Sequence, residues 1–157
     1  MILAVVCSCF VIASAMTLPT NVEIQDISRT IRILIADDHA DIRRIVRSTL
    51  EQQAHFQVCG EAHDGGEAVK KAQRLKPDVV ILNICMPVLN GFEAAREIRT
   101  TLPETAIIIL SSQADKRYIE EAKRVGARAY IVKDKAGEAF IKAIEAAVIG
   151  GDFVSIT

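Results

Sequence analysis

Between Ile31 and Val148, short apolar runs alternate with amphipathic stretches of helical period, and each apolar run stops at a polar residue. Few folds accept that pattern. The run Ile31–Ala36 ends at Asp37 and Asp38, and Val79–Leu82 ends at Asn83. Ala106–Leu110 ends at Ser111, and Ala129–Val132 ends at Lys133. Phe56–Ala62 supplies one more strand. Between them, Ile42, Ile45, Val46 and Leu50 recur at the spacing of one helix face over residues 40–53. Ala68, Ala72 and Leu75 do the same before Pro77, and residues 92–101 form a third helix between Gly91 and Pro103. Ile119, Ala122 and Val125 mark a fourth helix with Gly126 as its C-cap. Phe140, Ile144, Ala147 and Val148 mark a fifth, ended by Gly150 and Gly151.

Strands alternating with helices predict a parallel sheet covered on both faces. Uninterrupted apolar strands such as Val79–Leu82 agree, since a parallel strand is buried on both sides. Five strands predict a flavodoxin-like (βα)5 doubly wound α/β fold with strand order 2-1-3-4-5. The chain has 157 residues, half of them apolar, which is enough to bury a core without disulfides. Its net charge of -1 gives no general attraction to nucleic acid or anionic lipid. Four cysteines at irregular spacing match neither a zinc site nor a Cys-x-x-Cys redox pair, so reduced thiols are expected.

Residues 2–16 are apolar or small, and the first charge is Glu23. As a helix this run would reach about 22 Å, short of a membrane core of about 30 Å. Three readings stay open: a signal or anchor with Ala13-Ser14-Ala15 as its cleavage site, a translation start placed too early with Met16 as the true first residue, and a loosely packed leader. No Lys or Arg precedes the run, unlike a typical secretory signal. Pro19 and its polar neighbours read as a linker, so the expected division is a leader and linker over 1–30 and one domain over 31–154. No membrane contact is expected unless residues 2–16 anchor the chain.

In a doubly wound sheet, ligands bind beyond the carboxyl ends of the strands. That edge collects Asp37, Asp38, Asn83, Ser111 and Lys133. Carboxylates suit Mg2+, a lysine offers a point charge to phosphate, and a hydroxyl can bond a phosphoryl oxygen. Singly, each has a plain structural reading. The aspartates could end a strand and cap the next helix, Lys133 could be a solvated loop residue, and Asn83 could serve a turn. Suitable residues at four strand ends together carry more than any one alone.

Four segments then stand out: Ile33-Leu34-Ile35-Ala36-Asp37-Asp38-His39, Met86-Pro87-Val88-Leu89-Asn90-Gly91, Ile109-Leu110-Ser111-Ser112, and Gly126-Ala127-Arg128-Ala129-Tyr130-Ile131-Val132-Lys133. Together they resemble the receiver domain of two-component response regulators over about four fifths of the chain. Lys133-Asp134 resembles the subgroup that precedes LuxR-type helix-turn-helix domains, and residues 150–154 resemble the start of its exit linker. No helix-turn-helix segment follows before Thr157, so no output domain is expected.

The resemblance implies a phosphoacceptor aspartate three residues before Met86-Pro87, where this sequence has Asn83. A carboxamide lacks the charge with which a carboxylate attacks phosphorus, so Asn83 should not be phosphorylated. The implied metal ligands are Asp37, Asp38, Asn83 and the Cys85 backbone carbonyl, with Mg2+ binding weakened by the missing charge. Ser111 and Lys133 match the phosphate-contacting residues, and Tyr130 matches the aromatic that swings inward on activation. Tyr130 also has a plain reading as a half-buried strand aromatic.

The expected function is a phosphorelay receiver module, atypical at residue 83 and acting by protein contact, not an enzyme. The alternative is a truncated remnant of a DNA-binding response regulator. An enzyme or small-ligand binder finds no support, because no Gly-rich phosphate loop, nucleophile triad or histidine metal cluster is evident. Expected partners are a histidine kinase or another signalling protein and a second copy as a homodimer, without direct nucleic-acid binding, in the cytoplasm. The resemblance places the output face on the fourth helix, fifth strand and fifth helix. There Lys116, Arg117, Lys123, Arg124 and Arg128 mix with Asp115, Glu120, Glu121 and Glu138.

Overall fold

A computed structural model describes residues 29–135 and 137–157. The apolar run 2–16, Cys7, Cys9, Pro19 and Glu23 lie outside the described residues. The elements run β1 (Ile31–Ala36), α1 (Ala40–Glu51), β2 (Phe56–Ala62), α2 (Gly65–Leu75), β3 (Val79–Leu82), α3 (Gly91–Thr101), β4 (Ala106–Ser111), α4 (Lys116–Arg124), β5 (Ala129–Val132), α5 (Gly137–Val148) and β6 (Val154–Ile156), with a short 3-10 helix at Lys133–Lys135. All strand pairs are parallel, in the order β2-β1-β3-β4-β5-β6.

The expected order 2-1-3-4-5 is present, extended by one strand. Residues 150–154, expected to begin an exit linker, lead instead into a sixth strand over Val154–Ile156 that adds to β5, with Ala129 beside Val154 and Ile131 beside Ile156. Gly150 makes the turn with φ of 76°, and the Gly151 N–H returns to the Ala146 carbonyl.

Strand side chains alternate between two cores, because successive residues point to opposite faces. Leu34, Val80, Leu82, Ile107, Ile109 and Tyr130 meet α2, α3 and α4 through Ala68, Ala72, Phe92, Ile98 and Ala122. Ile33, Ile35, Ile81, Ile108 and Ile131 meet α1 and α5 through Val46, Leu50, Phe140 and Ile144. Covering both faces is what leaves the strand ends as the open edge.

Local chemistry fixes how the chain leaves that edge. Asn90 caps α3 by accepting from the Phe92 and Glu93 N–H groups, and the Glu93 carboxylate accepts in return from the Asn90 N–H. A Cβ on Gly91 would stand 2.1 Å from the Asn83 carbonyl oxygen. Only glycine lets α3 begin against β3, and this seats the loop holding Cys85 over the strand end. Among the described residues, no helix is long and apolar enough to cross a membrane.

Candidate functional site

The β1–β3 ladder puts Ala36 beside Leu82, and the Asn83 N–H continues it by donating to the Ala36 carbonyl. The residues that follow the two strands are therefore neighbours. Asp37 and Asn83 are buried, at 2% and 6% exposure, while Asp38 lies towards the surface. Lys133, from the end of β5, reaches across β3 and β4, and its Nζ lies 2.6 Å from Asp37 Oδ2. The other oxygen of Asp37 accepts from the His39 N–H at 2.9 Å. Both oxygens of this buried carboxylate are thus engaged.

Asn83 faces acceptors. Its Nδ2 donates to Asp38 Oδ1 and to the Cys85 carbonyl, both at 3.0 Å. Those partners fix the amide's orientation, since its carbonyl oxygen would meet only other oxygens there. Asp38 also takes His39 Nδ1 at 3.0 Å. Burial pushes the Asp38 carboxyl up, but its backbone hydrogen bond, the Asn83 amide and His39 outweigh this and leave it below its usual value.

The capping alternative for the two aspartates does not hold. The N-cap of α1 is His39, which makes no side-chain cap, and Asp37 and Asp38 turn into the pocket instead. The Asp37 backbone carbonyl is held from α1 by Arg43 Nη1 at 2.7 Å.

Ser111 and Tyr130 meet at a third residue. Ser111 Oγ accepts from the Gln113 N–H at 3.1 Å, and the Tyr130 hydroxyl donates to the Gln113 carbonyl at 2.8 Å. Tyr130 is fully buried, not half-buried, and burial pushes its phenol up, with the Ser111 hydroxyl opposing. The β4–α4 loop is pinned from both sides.

Asp37, Asp38, Asn83, the Cys85 carbonyl and Lys133 therefore converge, with Ser111 and Tyr130 joined at Gln113. Two contributors were missed in the sequence, His39 and Gln113. His39 follows the aspartates directly, and Gln113 stands two residues after Ser111. A histidine also stands among carboxylates at the start of α2. His63 Nδ1 lies 2.6 Å from Glu67 Oε2, and Asp64 accepts from the Glu67 N–H as N-cap. Lys71 Nζ, 2.7 Å from Glu67, already supplies the positive charge there.

The charges on the expected output face are largely paired locally. Arg117 meets Asp115, Lys123 meets Glu120 at 3.0 Å, and both Arg124 and Arg96 of α3 meet Glu121. Cys59 and Cys85 are free thiols.

A family model for the response regulator receiver domain matches residues 33–145. The chain is 39% identical over 120 residues to the transcriptional regulatory protein YxjL of Bacillus subtilis, covering 76% of this chain and 55% of that protein. It is 40% identical over 102 residues to the chemotaxis protein CheY of Thermotoga maritima, covering 65% and 84%. The response regulator domain of Thermotoga maritima CheB superposes with a TM-score of 0.73 at 34% identity, covering 77% of this chain and 98% of that one. A LuxR-family response regulator from Aurantimonas sp. SI85-9A1 gives 0.76 at 31%, covering 79% and 89%. The chain spans about half the length of the curated transcriptional regulators it matches first.

Proposed function

Because the chain belongs to the response regulator receiver family, matched across residues 33–145, we propose that it is a signalling receiver which takes no phosphoryl group at residue 83 and acts by protein contact. One observation carries this reading. The residue at the end of β3 is an asparagine whose amide is bound to Asp38 and Cys85. An amide offers no carboxylate oxygen to form an acyl phosphate.

Receiver domains generally bind Mg2+ at their acidic phosphorylation site. Here Asp37, Asp38, Asn83 and the Cys85 carbonyl stand at that position with one carboxylate fewer than an acceptor aspartate would supply, so tight Mg2+ binding is not expected. Lys133 and Ser111, which would contact a phosphoryl group, are engaged by Asp37 and Gln113. The partner is a histidine kinase or another signalling protein, a second copy included. The domain comprises residues 31–156, the sixth strand included, and works in the cytoplasm, a location that its free thiols at Cys59 and Cys85 suit.

A second reading, a receiver unit derived from a DNA-binding regulator, draws on the roughly twofold greater length of the regulators matched. In either case the test is chemical. The chain and its Asn83→Asp variant are incubated with acetyl phosphate and Mg2+ and weighed intact. The unaltered chain is expected to gain no phosphoryl unit and Asn83→Asp to gain one. A rapid adduct mapped to residue 83 of the unaltered chain overturns the reading.

A further inference from the structure

We infer that the Asn83 amide takes the place of the family's cation, its NH2 group bridging the Asp38 carboxylate and the Cys85 carbonyl so that the pocket is complete without Mg2+. This rests on the reading of Asn83 as a silent acceptor and says why the site is silent to metal as well. The residues present do not fit Mg2+ as they stand. A cation needs oxygens turned towards it, and the side chain between Asp38 and Cys85 turns its two N–H bonds towards them instead. The two hydrogen bonds are equal at 3.0 Å, and both partners can only accept.

The rest of the pocket is closed in the same sense. Asp37, one of the implied ligands, holds Lys133 with one oxygen and the His39 N–H with the other. Asp38 receives His39 Nδ1 beside the amide. An entering ion would have to break both amide bonds and turn the carboxamide over. It would gain a neutral oxygen where a working receiver offers a charged one.

Loss of charge and occupancy by the amide make opposite predictions for one variant. Asn83→Ala removes the amide without adding charge, and it offers one ligand atom fewer. If only charge matters, it binds Mg2+ no better than the unaltered chain. If the amide occupies the cation's place, it binds about tenfold more tightly, the scale of two net hydrogen bonds no longer broken on entry. Asn83→Asp binds more tightly than either.

The experiment is a Mg2+ titration of the three 15N-labelled proteins, followed by NMR at residues 37, 38 and 83–85. In the unaltered chain the Asn83 side-chain NH2 pair should exchange slowly with water and stay in place as Mg2+ is added. Saturable shifts at Asp38 and Cys85 in the unaltered chain, with an affinity equal to or above that of Asn83→Ala, overturn the inference. Should Asn83→Ala not melt cooperatively, the NH2 pair of the unaltered chain decides: protected and unmoved supports the bridge, exposed or shifting refutes it. An unaltered chain that binds Mg2+ tightly but takes no phosphoryl group refutes the bridge and spares the proposed function. A phosphoryl group at residue 83 refutes the proposed function itself.

Discussion

Asp37 and Lys133 form the most buried ion pair of the pocket, with side chains 3% and 15% exposed. Removing one member of such a pair leaves a charge with neither water nor partner, which costs more than the pair contributes. Lys133→Ala should therefore lower stability by about 3 kcal/mol, because the backbone N–H and ring Nδ1 of His39 are what remain beside the buried Asp37 carboxylate. Adding Asp37→Asn should recover most of that loss, since an amide tolerates the site uncharged. Urea unfolding of the single and double variants measures it. Additive losses would mean that the two side chains do not depend on each other. This pairing was not legible in the sequence. The positions of Asp37 and Lys133 followed from the strand ends, but the residues lie 96 apart and either could have faced an incoming ligand. The orientation of the Asn83 amide was hidden for the same reason. It depends on acceptors brought from β1 and from the loop after β3.

The start of α2 shows how one turn of helix gathers charge. Asp64 caps it, and Glu67 receives both Lys71 and the His63 N–H. Burial pushes the Glu67 carboxyl up, yet these partners hold it down to about 2. Its folded value lies below its ordinary one, so the folded state binds this proton less readily than the unfolded chain does. The stabilisation is present above the ordinary carboxylate range, about pH 4.5, and is lost as pH falls towards about 2. Glu67→Gln should remove about 1 kcal/mol at neutral pH, a figure discounted because the side chain is about a quarter exposed. It should also flatten the fall in urea midpoint between pH 4.5 and 2. An equally steep fall in the variant would assign the acid sensitivity to other groups. At this scale the sequence was most readable where the elements are long. The apolar stripes of α2 and α5, the Gly91 and Pro103 bounds of α3 and the unbroken strands β3, β4 and β5 declare their type. β6 did not, because three residues after Gly150, Gly151 and Asp152 carry no period of their own. Its reason for being a strand is a partner, β5, that supplies the ladder.

At the scale of the whole molecule, β6 changes which surface the sheet offers. Without it, the apolar strand Ala129–Val132 would present an open row of backbone groups, and such edges invite pairing with another chain. The Val154 N–H donates to the Arg128 carbonyl at 3.0 Å and starts the covering strand. Phe153 packs on the core beneath α4, with Lys123 Nζ 5.4 Å above its ring. The face formed by α4, β5 and α5 is thus bordered by the chain's own C-terminal strand, and its charges are mostly spent on one another. A receiver that acts by contact would then be tuned by whether β6 stays in place. Val154→Pro removes the N–H that begins the ladder, whereas Val154→Ala trims the side chain and keeps the bond. Val154→Pro should lose about 1–2 kcal/mol and sediment with a mean mass that rises with concentration, as free β5 edges pair. Val154→Ala should sediment as the unaltered chain does. If both variants sediment alike, β6 does not guard the edge, and any self-association of this receiver uses the helix faces instead.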